Sequence, residues 1–165
     1  MGETDRQADI HVHMFSQARW LAAVRAMAGS FAQRTGFSEI LSGQISLAID
    51  EALCNVINHG YERRPDGPIW IDFHHLALDP PGLEIVITDR ARQVEPDSIQ
   101  PRALEDIRPG GLGVYIIREI MDRVVYEQRT DGGMRLTMMK QLPPSPPAGT
   151  SGAVSSKCDA DQGKA

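Results

Sequence analysis

The spacing of apolar residues predicts two helices near the start of the chain. Between Trp20 and Phe31 apolar residues recur every three or four positions, which indicates an amphipathic helix that packs inward and stops before Gly36. Ser16 is placed to cap this helix. A second stripe of the same period follows Ser38, the expected cap of a helix that continues to about His59.

Alternation of apolar and polar residues predicts the strands. Turn-forming Asp, Pro and Gly residues separate neighbouring strands and favour antiparallel hairpins. The predicted strands cover residues 11–15, 69–73, 83–87, 124–128 and 134–142. A third helix is expected between the third and fourth strands, with an apolar face from Ile116 to Met121. This order predicts an α/β (α+β) two-layer sandwich, with helices on one face of a mixed, mostly antiparallel sheet.

Changes in composition divide the chain. We expect an N-terminal extension over residues 1–8, one domain over residues 9–142 and a disordered tail over residues 143–165. The tail opens with four prolines and continues with Gly, Ser and Ala, so it offers little apolar surface to bury. Residues 89–109 show little periodicity, which favours a flexible lid with one short helical turn.

Composition and charge narrow the class of protein. The 165 residues carry a formal net charge of -5, with 41% hydrophobic and 24% charged residues. No region is strongly basic, so we expect no nucleic-acid partner. The sequence shows no signal peptide and no run of apolar residues long enough to span a membrane. Two cysteines without ligand-like spacing fit a cytoplasmic protein with no zinc site and no disulfide.

A pair of polar residues on the second predicted helix is the first candidate site. Glu51 and Asn55 are four residues apart, so both side chains leave the helix on one side, and Asn58 and His59 follow one turn later. An amide oxygen can bind Mg²⁺, and a carboxylate can accept a proton from an attacking hydroxyl. A polar, solvated helix face is the alternative explanation of this pair.

Two further segments carry candidate chemistry. Asp89 ends the third predicted strand, where it could accept a hydrogen bond from an adenine amino group or simply cap a turn. The run from Arg108 to Gly113 leads into the third helix, and glycine N–H groups at a helix N-terminus suit phosphate oxygens. A hinge would explain the same glycines, and the run lacks the Lys-Ser/Thr ending of a P-loop.

In their order and spacing these three segments resemble the anti-sigma-factor serine kinases of the GHKL (histidine kinase-like) ATPase superfamily. Residues 51–62 look like the N-box of that family, residues 89–96 like its first glycine box and residues 110–122 like its second. The chain departs from the pattern at Ala91, where the first box usually has Gly, and at Met134, where Thr is usual. Some members also carry Arg directly before the glycine loop, whereas here Pro109 intervenes.

The resemblance implies a Bergerat-type fold that binds ATP and Mg²⁺. Glu51 would be the catalytic base, and Asn55 would bind the metal. The nucleotide-binding residues implied are Asn55, Asn58, His59, Asp89, Ala91, Arg108, Gly110, Gly111, Leu112 and Gly113.

The resemblance also implies partners. The substrate would be a serine of a STAS-domain anti-sigma-factor antagonist, and a sigma factor or sigma-like decoy would compete for the chain, which would form a homodimer. Arg25 falls where the family places a partner-binding arginine, although a solvated helix arginine would look the same. A non-catalytic ATP-binding module remains the alternative function. The ATPase half of a histidine kinase is disfavoured, because no helix with a phospho-acceptor His precedes the domain.

Overall fold

The computed structural model of the chain describes residues 7–99 and 112–144. Its strands are β1 (Ile10–Phe15), β2 (Pro68–Leu76), β3 (Gly82–Asp89), β4 (Arg123–Gln128) and β5 (Met134–Gln141). Its α-helices are α1 (Leu21–Thr35), α2 (Glu39–Asn55) and α3 (Leu112–Ile120). The order of strands in the sheet is β1-β2-β3-β5-β4, and each of these neighbours is paired antiparallel. The predicted two-layer sandwich is therefore confirmed.

The core lies between the sheet and the helices. Ile71 of β2 pairs with Ile87 of β3, which pairs in turn with Leu136 of β5, so one apolar row crosses three strands. Ile49 and Leu53 of α2 belong to the same buried cluster and are fully shielded from solvent. Burying each such side chain stabilises the fold by about 1.5–3 kcal/mol. The predicted inward faces of β2, of β3 and of α2 are therefore confirmed.

Local signals set both ends of the loop between the first two helices. Gly36 ends α1 in the left-handed conformation, with φ of 110°, which a glycine adopts at little cost. Ser38 caps α2, because its Oγ accepts a hydrogen bond from Leu41 N at 3.3 Å. Glu39 lies in the first turn of α2, where its charge suits the helix dipole.

The predicted start of α1 is wrong. The Oγ of Ser16 donates to the carbonyl of Arg64 and accepts from Gly67 N, so it joins the end of β1 to the turn before β2 instead of capping a helix. A 3₁₀ turn at Ala18–Trp20 precedes α1. Trp20 lies in this turn, off the inward face of the α-helix, and is 47% exposed rather than buried.

The second helix changes its geometry before its predicted end. α2 stops at Asn55, and a π-helical turn covers Val56–Gly60. Such turns are rare overall, but those that occur are often found at functional sites. The continuous helical stretch Glu39–Gly60 is also long and apolar enough to cross a membrane, by length and composition alone. Its buried apolar residues belong to the core cluster, which is the pattern of a core helix.

The predicted lid is described only in part. Its first residues contain the expected short turn, a 3₁₀ turn at Pro96–Ser98. The Nε2 of Gln128 in β4 donates to Val94 O at 3.2 Å and so attaches this part of the lid to the sheet. Residues 100–111 lie outside the described residues, as do the predicted extension up to residue 6 and the predicted tail from residue 145.

Candidate active site

A cavity of about 300 Å³ opens between the end of α2 and the ends of β3 and β5. Asn55 and His59 line it from the helix side, Asp89 at the end of β3 and Ala91 just after it line the other side, and Leu136 contributes to its apolar surface. This volume is at the lower end of the range for small-molecule sites. Mostly apolar walls with a few polar groups are typical of such sites, because the polar groups orient a ligand that apolar contacts bind.

Asp89 is the buried polar group of this cavity, with 3% of its surface exposed. Its Oδ1 accepts hydrogen bonds from Ala91 N at 2.8 Å and from Met134 N at 3.1 Å. Burial raises the pKa of the carboxyl, while these two N–H groups and the charge of Arg129 oppose the rise. Both bonds end on Oδ1, so Oδ2 keeps its capacity to accept a hydrogen bond from a ligand.

The turn between β4 and β5 packs closely against the end of β3. Gly133 has φ of 83°, and a Cβ at this position would collide with the carbonyl oxygen of Asp89. Gln93 Nε2 donates to Arg129 O at 2.6 Å and to Gly133 O at 3.1 Å, which fixes the turn against the segment after Asp89. The sequence assigned Gly133 to a turn but gave no signal for its contact with Asp89.

Glu51 and Asn55 lie against the first turn of α3. A Cβ at Gly113 would stand 2.7 Å from Oε2 of Glu51 and 3.5 Å from Nδ2 of Asn55. The last glycine of the predicted loop is therefore next to both members of the polar pair. Burial and the charges of Asp50 and Glu51 raise the pKa of the Cys54 thiol, while the charge of Arg25 opposes the rise.

The remaining predicted residues are placed as follows. Asn58 is exposed, and its Oδ1 accepts from Arg63 Nε at 3.2 Å, outside the residues that line the cavity. Leu112, the first described residue of α3, is 58% exposed. Arg25 of α1 is about half exposed and pairs with Asp50 Oδ2 of α2 at 3.4 Å. Three residues of the predicted glycine loop, Arg108, Gly110 and Gly111, lie outside the described residues.

The methyl group of Ala91 packs against Gly60. Ala91 is buried, and a Cβ at Gly60 would lie 2.8 Å from the Ala91 Cβ. The missing side chain at position 60 therefore makes room for the extra carbon at position 91, where the resembling family usually has Gly. This contact accounts for how the departure fits into the fold.

The amide oxygen at the site is a type of donor that magnesium takes. Among residues 7–99 and 112–144, no group of three or more His, Cys, Asp and Glu side chains could hold a metal ion. Mg²⁺ keeps several waters and takes few protein oxygens. The amide oxygen of Asn55, beside the acidic Glu51 and the Cβ-free surface of Gly113, fits that requirement.

Residues 15–140 match the model of the histidine kinase-like ATPase domain family. Because this match covers most of the chain, the chain belongs to that family.

Two curated relatives make the likeness more specific. The chain is 28% identical over 135 residues to the serine-protein kinase RsbW of Halalkalibacterium halodurans, covering 77% of this chain and 79% of the relative. It is 23% identical over 141 residues to RsbW of Bacillus subtilis, covering 81% and 85%. The resemblance to the serine kinase branch of the superfamily is therefore confirmed.

A solved structure supports the fold. The structure of the RsbU and RsbW domains of a Mycobacterium tuberculosis protein matches 81% of this chain with a TM-score of 0.53 and 18% sequence identity. The match spans 31% of that longer chain.

Proposed function

We propose that the chain is an ATP-dependent serine-protein kinase and anti-sigma factor. Its substrate would be a serine of a STAS-domain anti-sigma-factor antagonist, and it would sequester a sigma factor or a sigma-like decoy. The observation that carries the proposal is the position of Gly113, whose absent Cβ lets the backbone of α3 approach both Glu51 and Asn55. The likeness to the RsbW kinases supports the same reaction.

In this proposal the cavity binds the nucleotide, and Glu51, which lies beside Gly113 and outside the residues that line the cavity, acts on the substrate. Asp89 accepts a hydrogen bond from the adenine amino group, and the apolar walls at Ile87 and Leu136 pack against the base. Asn55 holds Mg²⁺, which neutralises phosphate charge when bound. Glu51 accepts the proton of the attacking serine hydroxyl. The nucleotide-binding roles of Asn58, His59, Ala91 and the run from Arg108 to Gly113 remain predictions of the resemblance.

Arg25 is the proposed contact for a protein partner. It lies beside a shallow groove between α1 and α2, which small residues such as Ala22, Ala26 and Gly29 leave open. Its guanidinium is about half exposed and is held by Asp50 only at 3.4 Å, so a partner carboxylate can compete for it.

The proposal also includes a homodimer in the cytoplasm. Within the described residues β1 pairs only with β2, so the outer edge of β1 is available to a second copy.

The alternative is an ATP-binding module that switches partners without transferring phosphate. Ala91 favours it, because this residue lines the cavity at a position where the resembling family usually has Gly. In that case nucleotide binding would change partner affinity only.

Transfer of labelled γ-phosphate to purified STAS-domain proteins of the same organism tests the proposal. The Glu51→Ala variant should bind Mg-ATP within a few-fold of the wild type but transfer phosphate at least about 100-fold more slowly, because it lacks the base. Equal transfer rates would contradict the role of Glu51. ATP binding without any transfer by the wild type would support the non-catalytic module instead.

A further inference from the structure

Tyr61 fills the space where three segments of the site meet. It directly follows the π-helical turn Val56–Gly60 and is 3% exposed. Its ring covers Gly67, where any Cβ would collide with the ring carbons. Because position 67 has no side chain, the Tyr61 ring packs against the backbone just before β2, and this contact fixes the position of the ring.

The hydroxyl of Tyr61 joins two strands. It donates a hydrogen bond to Pro68 O at 2.6 Å and accepts one from Arg90 N at 2.9 Å. Pro68 begins β2, and Arg90 follows the last residue of β3. Burial raises the pKa of this hydroxyl, so it keeps the proton that it donates to Pro68.

The second of these bonds acts next to Asp89. The N–H of Arg90 is held by Tyr61, and the N–H of Ala91 is held by Oδ1 of Asp89. Two successive backbone groups are thus anchored, one by the tyrosine and one by the aspartate itself. The Asp89 carboxylate is therefore oriented on a backbone turn that the hydroxyl of Tyr61 holds in place.

We propose that Tyr61 is a positioning residue for recognition of the adenine base. Its hydroxyl fixes the Asp89–Ala91 turn and so sets the position of the carboxylate oxygen that accepts the 6-amino hydrogen bond. The inference rests on the proposed function, because it assumes that ATP occupies the cavity.

The Tyr61→Phe variant removes the hydroxyl and retains the ring. We compare the dissociation constants of Mg-ATP and Mg-ITP by calorimetry, since ITP carries a 6-oxo group where ATP carries the amino group. Wild-type protein should prefer ATP. In Tyr61→Phe the dissociation constant of Mg-ITP divided by that of Mg-ATP should fall by about tenfold, the effect expected for one misplaced hydrogen bond.

Phe73→Leu is the matched control. Phe73 is a fully buried residue of β2 that packs against Phe31, away from the residues that line the cavity. This variant should lower the melting temperature without changing the preference for ATP over ITP. If Tyr61 had a purely structural role, Tyr61→Phe would bind both nucleotides more weakly by the same factor, and the ratio would be unchanged.

The outcomes separate the inference from the proposed function. If the wild type prefers ATP and Tyr61→Phe prefers it to the same extent, the inference alone is overturned. A wild type that binds neither nucleotide would overturn the proposed function, and the inference with it. If Tyr61→Phe does not fold, amide hydrogen exchange in the wild type decides: the Arg90 N–H should be protected, and free exchange there would contradict its bond to Tyr61.

Discussion

A single added methyl group at Gly113 should slow phosphate transfer and leave the stability of the fold almost unchanged. In Gly113→Ala the new Cβ would stand 2.7 Å from Oε2 of Glu51, whereas ordinary contacts begin at 3.4 Å. The carboxylate must therefore move by about 0.7 Å, the difference between these two distances. A displacement of about 1 Å at a reacting group can lower a rate by about 100-fold. We expect phosphate transfer to fall by about 10- to 100-fold.

The folded state should tolerate the same change. Position 113 is helical, where replacing Gly by Ala stabilises by up to about 1 kcal/mol, and the crowded atom is the end of a flexible side chain. The free energy of unfolding in urea should therefore stay within about 1 kcal/mol of the wild-type value. The affinity for Mg-ATP should change only a few-fold, because Asn55 is 3.5 Å from the new carbon.

Gly43→Ala is the matched control for this variant. Gly43 lies within α2, and a Cβ there would meet no atom within 4 Å. It should show the gain in helix stability, about 0.5–1 kcal/mol, without displacing Glu51. Gly43 also lines the groove beside Arg25, so the transfer rate of Gly113→Ala is compared with that of the wild type. If Gly113→Ala transferred phosphate as fast as the wild type, Glu51 could not act as the base from its observed position.

The remaining predictions concern Asp89. In Asp89→Asn an amide donor can face the base, so the preference for Mg-ATP over Mg-ITP should fall at least about tenfold; an unchanged preference would remove Asp89 from base recognition. The pKa of Asp89 is raised in the folded state, so its contribution to stability is fully present below the unfolded value, near 3.8, and is lost as pH rises through the folded pKa. The free energy of unfolding of the wild type, relative to that of Asp89→Asn, should therefore decrease as the pH rises through the folded pKa. Urea unfolding of both proteins between pH 3 and pH 7 measures this difference, and an increase with pH would contradict the prediction.

The parts of the fold predicted correctly depend on interactions between near neighbours. The cap at Ser38 and the stop at Gly36 act within a few residues. The hairpin of β2 and β3 follows from alternation on both sides of a turn. Such signals are visible in one stretch of sequence, because the residues that interact are close together in the chain.

The errors come from interactions across the chain. Ser16 was expected to cap a helix, but its hydroxyl bonds with Arg64 and Gly67, about 50 residues away in sequence. Local pattern cannot decide between these partners, because only the folded sheet brings the two segments together. Trp20 was assigned to the core because it continues the apolar spacing, yet the 3₁₀ turn has a different period from the helix that follows.

The candidate site shows the same division. The sequence reasoning placed Glu51, Asn55 and Gly113 in one candidate site, and these three residues lie next to one another in the structure. The supporting contacts of Tyr61 and Gln93 were not predicted, because their partners at Arg90 and Gly133 are 29 and 40 residues away. Both residues lie in segments that resemble family motifs, residues 51–62 and 89–96, but the sequence reasoning assigned neither of them this role.

Calorimetric titration with Mg-ATP of the wild type and of Asn55→Ala tests most directly whether this cavity is a magnesium-nucleotide site. The wild type should bind one nucleotide per chain, and Asn55→Ala should bind at least about tenfold more weakly in the presence of Mg²⁺, with a smaller difference when EDTA removes the metal. Equal affinity of the two proteins with and without Mg²⁺, or no binding by the wild type, would contradict the account.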